Sequence, residues 1–118
     1  MSISGTRKKM KIIALPEVEK YLEDLKMILF EKEYFGFEEA AQKYVDDLFL
    51  DIKTNLPQKL KRPAPPYFDK YGKEMEYAVF KKNKRTSWYV FFRVYKDNEN
   101  DIYQVRYIAN NHSVAQHL

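Results

Sequence analysis

The feature that most constrains this chain is a pair of aromatic and β-branched stretches joined by a short polar segment. Residues 88–95 read WYVFFRVY, residues 102–108 read IYQVRYI, and the polar residues DNEN occupy 97–100 between them. Both stretches lack glycine and proline and are rich in the residue types that favour β-strands. The sequence therefore predicts a β-hairpin in which Tyr95 lies opposite Ile102.

Alternation along this hairpin predicts two faces of different chemistry. The face expected to form the core is apolar and carries Trp88, Val90, Phe92, Val94, Tyr103, Val105, Tyr107 and Ala109. The other face mixes cations with aromatic rings and carries Tyr89, Phe91, Arg93, Tyr95, Gln104, Arg106 and Ile108. A slip of one residue would move arginines into the core, so the register is expected to be well specified. We expect the second face to be open to solvent and to carry the function.

Two amphipathic helices are predicted before the hairpin, over residues 16–33 and 37–56. In both segments apolar residues recur at three- and four-residue spacing, which is typical of a helix with one buried side. Pro16 suits the first turn of a helix, and Pro57 ends the second one. A short apolar strand over residues 11–15 is expected to precede them.

The remaining segments complete a β-α-α-β-β-β order. Residues 57–72 are expected to be a long irregular loop, because three prolines fall within residues 63–66. Residues 74–81 are the third strand candidate, with Met75, Tyr77 and Val79 directed towards the core. A short helical turn is expected from Ser113. The order predicts an α+β domain, a mostly antiparallel sheet with a helical hairpin packed on one face.

Composition narrows the class of protein. A chain of 118 residues without cysteine predicts one domain without disulfides or a thiolate metal site. Residues 1–9 are expected to be a flexible leader and residues 10–118 the domain. No apolar run is long enough to span a membrane, so a cytoplasmic protein is expected. Residues 11–56 hold six basic and eleven acidic residues, whereas residues 57–118 hold twelve basic and six acidic ones, which favours a polyanionic partner for the second half.

The order of elements and several local motifs resemble the RelE/ParE toxins of bacterial type II toxin–antitoxin systems. The motifs are IALPEVE at residues 13–19, KLKRP at 59–63, the aromatic strand WYVFFRV at 88–94, and YQVRYI at 103–108 before a polar C-terminal segment. The resemblance covers about residues 11–118. It implies a toxin neutralised by an acidic, partly disordered antitoxin protein. RelE-like members cut mRNA on the ribosome without a metal or other cofactor, and ParE-like members inhibit DNA gyrase.

Metal-free RNA cleavage needs two kinds of group: an acid or base that transfers protons, and cations that surround the phosphate. Histidine suits the acid or base role. The resemblance implies a catalytic set formed by His112, Arg93, Arg106 and Lys61. It implies RNA contacts from Lys59, Arg62, Lys81, Lys82, Arg85, Tyr89 and His117. The predicted register also places Arg93 and Arg106 side by side. Each of these residues also has an interpretation without a function. The lysines would be solvated surface cations, the histidines would be surface residues, and Arg93 and Arg106 would form ion pairs with Glu76.

Two departures from the family pattern keep the activity open. Many family strands read Tyr-Arg where this chain has Trp88 and Tyr89, so one phosphate-binding arginine is replaced unless Arg93 takes its role. In one branch of the family, a glutamate in a proline-rich loop is the candidate general base, and this chain has Ala64 at that position. The resemblance favours a ribosome-associated mRNA endonuclease. The two departures favour the alternatives, which are a gyrase-binding toxin or an inactive member that only binds a partner.

Overall fold

The computed structural model describes residues 9–32 and 36–118. Its helices and strands are β1 (Met10–Ala14), α1 (Pro16–Glu31), α2 (Glu38–Asn55), β2 (Arg62–Pro63), β3 (Glu76–Lys81), β4 (Ser87–Asp97), β5 (Asn100–Asn110) and α3 (Asn111–Val114). The predicted leader lies outside the described residues except for Lys9, whose carbonyl accepts a hydrogen bond from the Asp101 amide at 2.9 Å. The predicted end of the first helix near Glu33 also lies outside them.

The start of α1 and the end of α2 lie where the prolines predict them. Pro16 is the first residue of α1, and Leu15 before it is extended, as a residue before proline prefers. α2 ends at Asn55, two residues before Pro57. None of the helices in the described ranges is both long and apolar enough to cross a membrane.

The strands form one five-stranded sheet in the order β1-β5-β4-β3-β2. β1 runs parallel to β5, and the other neighbouring pairs are antiparallel. The predicted α+β class is therefore confirmed, with helices packed on a mixed sheet. The sheet has one strand more than predicted. Residues 57–72 were expected to be irregular, but Arg62 and Pro63 pair with Tyr77 and Glu76.

The hairpin register is confirmed near the turn and wrong beyond it. Tyr95 lies opposite Ile102, and Phe92 lies opposite Val105. Phe91 then pairs with Tyr107, which leaves Arg106 as an extra residue in a β-bulge. From that point every side chain of β5 lies on the opposite face from the one predicted.

The main core lies between the helices and one face of the sheet. α1 contributes Leu22 and Leu25, and α2 contributes Leu48 and Ile52. The sheet contributes the fully buried residues Ala78, Phe80, Trp88, Val90, Phe92, Val105 and Ile108. Ala78 and Phe80 take the positions predicted for Met75, Tyr77 and Val79, because β3 presents its other face to the helices.

The second face of the sheet, opposite the helices, was predicted to be open to solvent. This prediction is wrong over most of that face, because other residues cover it. A 3₁₀ segment, Pro66–Tyr71, crosses it and places Phe68 on Phe91, and both residues have no exposed surface. Met75, Tyr77, Tyr107, Ala109 and Val114 complete this second core. The bulge explains the error, since it brings Tyr107 and Ala109 to this side and supplies the apolar surface that the 3₁₀ segment covers.

Candidate nucleic-acid-binding face

The 3₁₀ segment divides the second face into two ends with different chemistry. One end is a concave surface of ≈ 600 Å³, which we call the basic groove; it is lined by Lys59, Leu60, Arg62, Tyr77, Val79, Tyr89, Ala115 and Leu118. The other end holds Arg93, Tyr95 and Arg106, which we call the arginine cluster. The basic groove contains residues predicted to contact RNA, and the arginine cluster contains two of the predicted catalytic residues.

Three strands, the turn after α2 and the C-terminal segment build the basic groove. Arg62 lies in β2 opposite Tyr77 of β3, and Val79 of β3 lies opposite Tyr89 of β4. The Tyr77 and Tyr89 rings contact each other with centroids 5.8 Å apart. Lys59 follows the turn after α2, and its Nζ lies 4.6 Å from the centroid of the Phe80 ring. The groove is therefore lined by Arg62, by the side chain of Lys59, whose ammonium lies against Phe80 of the main core, and by an aromatic wall.

The arginine cluster is organised around one tyrosine hydroxyl. Arg106 Nη2 donates to Tyr95 Oη at 3.0 Å, and the Arg93 guanidinium lies 5.3 Å from the centroid of the Tyr95 ring. The hydrogen bond from Arg106 lowers the pKa of Tyr95, and the charge of Arg93 adds to this effect. The predicted proximity of the two arginines is confirmed, with Tyr95 between them. The acidic partner of Arg93 is the exposed Glu74 at 3.5 Å, and not Glu76, which was the alternative partner.

Strand alternation and one glycine place Arg106 on this face. Arg106 follows Val105, which lies on the core side, so alternation directs it to the second face as predicted, and the β-bulge changes the face only of the residues after it. Gly72 gives the side chain room, since a Cβ built at this glycine would lie 2.8 Å from Arg106 Cδ. Arg106 Nη1 also lies 3.5 Å from the Tyr71 carbonyl, next to that glycine.

The two histidines lie on different parts of the surface. His112 is exposed in α3 and lines a depression on the helix side of the sheet, with Trp88 and α1 residues. His117 is half-buried, and its ring stacks on Tyr67 with centroids 3.5 Å apart and planes 5° from parallel. Since Ala115 and Leu118 line the basic groove, His117 lies beside it and His112 does not.

The other predicted cations are not gathered in the groove. Lys61 Nζ donates to the carbonyls of Pro57 and Lys59 at 2.8 and 3.0 Å. Lys82 Nζ lies 5.4 Å from the centroid of the Tyr44 ring, on the helix side. The Arg85 carbonyl accepts from Asn111 Nδ2 at 3.1 Å, in the turn between β3 and β4. Lys81 is exposed at the end of β3.

Sequence reasoning missed Tyr77 and Tyr95 as members of these sites. Tyr77 was assigned to the main core, because nothing in a single sequence shows which face of β3 meets the helices. Alternation places Tyr95 on the same face as Arg93, and that spacing would have been sufficient to add Tyr95 to the predicted site.

No family model, curated protein or solved structure matches this chain. Within residues 9–32 and 36–118, no three histidine, aspartate or glutamate side chains come together in a way that would hold a metal ion.

Proposed function

We propose that this chain is a RelE/ParE-like toxin that binds single-stranded mRNA along the second face of its sheet and cuts it on the ribosome without a metal. The observation that carries the proposal is the basic groove, in which Lys59, Arg62 and Tyr89 lie together. These three residues come from separate segments of the chain, and all were expected to contact RNA. The acidic partner expected for such a toxin is an antitoxin protein.

The chemistry of the groove fits a single-stranded polyanion better than a duplex. Proteins bind unpaired RNA by stacking bases on aromatic rings and by holding phosphates with cations. Tyr89 is half-buried beside Tyr77 and offers ring surface, whereas Arg62 is exposed and offers charge. None of the side chains that line the groove carries a carboxylate to repel a phosphate.

The arginine cluster supports cleavage at the other end of the same face. In metal-free cleavage a base removes the proton of a ribose 2′-hydroxyl, the 2′-oxygen attacks phosphorus, and the P–O5′ bond breaks as an acid protonates the leaving 5′-oxygen. Arg93 and Arg106 supply two positive charges for the phosphate in the transition state. Tyr95 Oη, held by Arg106 at 3.0 Å, is an oxygen that can exchange a proton there.

Induction of the full chain in a bacterial host, followed by primer extension on cellular transcripts, tests the proposal. We expect growth arrest, with cuts confined to translated regions. The double variant Lys59→Ala/Arg62→Ala should lose the cuts. Lys43→Ala is the matched control, because Lys43 is exposed on α2 and paired with Asp47 at 2.8 Å. Growth arrest without cuts would contradict cleavage.

The same assay tests the role expected for His112. If His112 is the acid or base, His112→Ala abolishes the cuts while the protein stays folded. Since His112 lies on the helix side and not beside the groove, the geometry favours retention of the cuts in this variant and their loss in Tyr95→Phe.

One observation favours a second candidate function, inhibition of DNA gyrase without catalysis. None of the residues that line the basic groove is a histidine, aspartate or glutamate, which are common acid–base groups. A surface of this kind can bind a partner without reacting. Purified gyrase would then lose supercoiling activity when the protein is added, and Arg62→Ala would restore it.

A further inference from the structure

The short strand β2 covers only part of the outer edge of β3. The pairing ends at Arg62, which lies opposite Tyr77, whereas β3 continues to Lys81. In the same register Leu60 would lie opposite Val79, yet no backbone hydrogen bond joins these two residues, both of which the structure describes. The last part of β3, from Val79 to Lys81, is therefore an edge that β2 leaves open.

The side chain of Lys61 explains why the pairing stops. Its Nζ donates to the carbonyls of Pro57 and Lys59 at 2.8 and 3.0 Å, and these bonds hold the chain in a turn before β2. Leu60, inside this turn, is 76% exposed and so does not pack against the sheet. The gap between the turn and β3 forms one part of the basic groove.

Hydrogen bonds at both ends of β3 show which of its backbone groups point to the open edge. Before the strand, the Ala64 amide donates to the Met75 carbonyl at 2.9 Å, so the odd-numbered residues of β3 point towards β2. After the strand, the Lys82 amide donates to the Thr86 carbonyl at 3.0 Å, so the even-numbered residues point towards β4. In an antiparallel ladder the N–H and C=O of one residue point to the same side. Both backbone groups of Val79 therefore point out of the sheet.

The open backbone groups of Val79 lie in the basic groove, beside its aromatic wall. Val79 lines the groove, is 37% exposed and lies opposite Tyr89 of β4. Arg62 lines the same groove, and Lys81 follows Val79 on the same face of β3. A neighbouring N–H donor and C=O acceptor match the donor and acceptor that stand side by side on the edge of an unpaired base. Tyr89 offers ring surface to such a base, and Arg62 offers charge to its phosphate.

The open edge is too short to favour the addition of a protein strand. A peptide that extends a sheet gains affinity from several successive backbone pairs. Between the last pair of β2 and the turn at Lys82, only Val79 and Lys81 of β3 point outward. Lysines on a short edge also oppose strand addition. Since none of the side chains that line the groove carries a carboxylate, single-stranded RNA is the occupant that both the length and the charge favour.

We propose that the backbone of Val79 binds one base of single-stranded RNA through hydrogen bonds. Its N–H donates to an acceptor on the Watson–Crick edge of the base, its C=O accepts from the neighbouring donor, and the base lies against Tyr89. The inference rests on the proposed function only in taking RNA as the ligand, since it requires no cleavage. Residue type at this position carries no signal of the contact, because every residue except proline has the same two backbone groups.

Methylated oligonucleotides test the base contact without any change in the protein. Fluorescence anisotropy compares the binding of oligouridylate to the full chain with the binding of two methylated versions. A methyl group on N3 of uracil removes the donor of the Watson–Crick edge, whereas a methyl group on C5 leaves that edge intact. We expect the 3-methyluridine version to bind about tenfold more weakly, since paired hydrogen bonds to a base edge discriminate by this order. Equal binding of the two methylated versions would overturn the proposal.

Proline substitutions locate the contact on the protein. Val79→Pro removes an N–H that points out of the sheet, a change that an edge strand tolerates, and should weaken oligouridylate binding about tenfold. Val79→Ala keeps the N–H and should bind more tightly than Val79→Pro. Met10→Pro is the matched control, because Met10 lies in β1, the edge strand at the other end of the sheet, and is 50% exposed. Equal loss of binding in Val79→Pro and Val79→Ala would mean that the side chain, and not the N–H, makes the contact.

Amide hydrogen exchange of the wild-type protein gives a readout that depends on no variant. The Val79 amide should exchange faster than the amides of Ala78 and Phe80, which point towards β4, and oligouridylate should slow it. A Val79 rate that oligouridylate leaves unchanged would overturn the proposal. If an extended acidic peptide slows the Val79 amide and oligouridylate does not, the edge binds a protein strand and the proposal fails.

The two proposals fail separately. If oligouridylate binding shows the expected dependence on the base but induced cells show no transcript cuts, the proposed nuclease fails and the base contact stands. If induced cells show cuts that Lys59→Ala/Arg62→Ala abolishes, while the two methylated oligonucleotides bind equally, the base contact fails and the proposed function stands.

Discussion

The ring of Phe68 lies on the ring of Phe91, with centroids 4.4 Å apart and planes inclined by 29°. Phe68 belongs to the 3₁₀ segment Pro66–Tyr71, and Phe91 belongs to the central strand β4. This contact closes the second face of the sheet, because both side chains are fully buried by it and by Tyr107. It also separates the basic groove from the arginine cluster, so one pair of aromatic rings defines both candidate sites.

Removal of the Phe68 ring should destabilise the whole domain. Phe68→Ala takes a fully buried ring out of the second core, and such a change costs about 3–5 kcal/mol through lost burial and the cavity that remains. Tyr67→Ala is the neighbouring control, since Tyr67 is 46% exposed and should cost less. Urea unfolding followed by circular dichroism measures both. A similar loss in the two variants would mean that the 3₁₀ segment does not depend on the Phe68–Phe91 contact.

Local sequence signals were sufficient for the helices and for the hairpin near its turn. Pro16 and Pro57 mark helix ends through their own backbone restrictions, and the pairing of Tyr95 with Ile102 follows from the alternation next to the turn. These features depend on residues close together in the chain, which is why a single sequence predicts them.

The β-bulge was beyond prediction, because nothing in residues 102–110 distinguishes a bulged Arg106 from a regular one. The extra residue becomes favourable only when the 3₁₀ segment, more than thirty residues earlier, covers Tyr107 and Ala109. The candidate site also contains features that depend on local sequence and features that depend on distant contacts. The arginine pair was predicted from local alternation, whereas the position of His112 on the helix side depends on how α3 leaves the sheet.

Gly72 is the position where an added methyl group should disturb the arginine cluster. Its φ of +151° is a conformation that L side chains rarely adopt, and a Cβ would lie 2.8 Å from Arg106 Cδ. We expect Gly72→Ala to lower the free energy of unfolding by about 1–3 kcal/mol and to weaken the Arg106–Tyr95 contact. Gly36→Ala is the control, because no atom lies within 4 Å of a Cβ built there. Equal stability of the two variants in urea would contradict this account.

The phenol of Tyr95 should ionise at lower pH than an ordinary tyrosine. Arg106 lowers its pKa through the hydrogen bond, whereas burial is the main cause that raises the pKa of Tyr107. Ring-labelled tyrosine NMR over an alkaline titration resolves the two groups. In Arg106→Gln the pKa of Tyr95 should rise, and in Arg85→Gln it should not change. An unchanged pKa of Tyr95 in Arg106→Gln would exclude the hydrogen bond as the cause.

Tyr95 and Tyr107 change the free energy of unfolding in opposite directions at alkaline pH. Tyr95 favours its ionised form in the folded protein, so it adds stability above the ordinary tyrosine pKa of about 10 and loses that contribution as the pH falls through its folded pKa. Tyr107 acts in the opposite sense, because its stabilising contribution disappears as the pH rises through its raised folded pKa. Arg106→Gln should therefore make alkaline unfolding begin at lower pH than in the wild-type protein.

Arg62 should hold an RNA phosphate from the rim of the basic groove. It is exposed, lies in β2 opposite Tyr77, and lines the groove with Lys59. We expect Arg62→Ala to weaken oligouridylate binding about tenfold, or about 1.4 kcal/mol. Each phosphate contact with single-stranded RNA contributes about 0.7 to the slope of log K against log salt, so the slope should fall by about that amount. Fluorescence anisotropy at several salt concentrations measures both quantities, with Lys43→Ala as the control on the opposite side of the domain. A weaker affinity with an unchanged slope would mean that Arg62 shapes the groove without contacting phosphate, and the RNA path would then have to follow the arginine cluster alone.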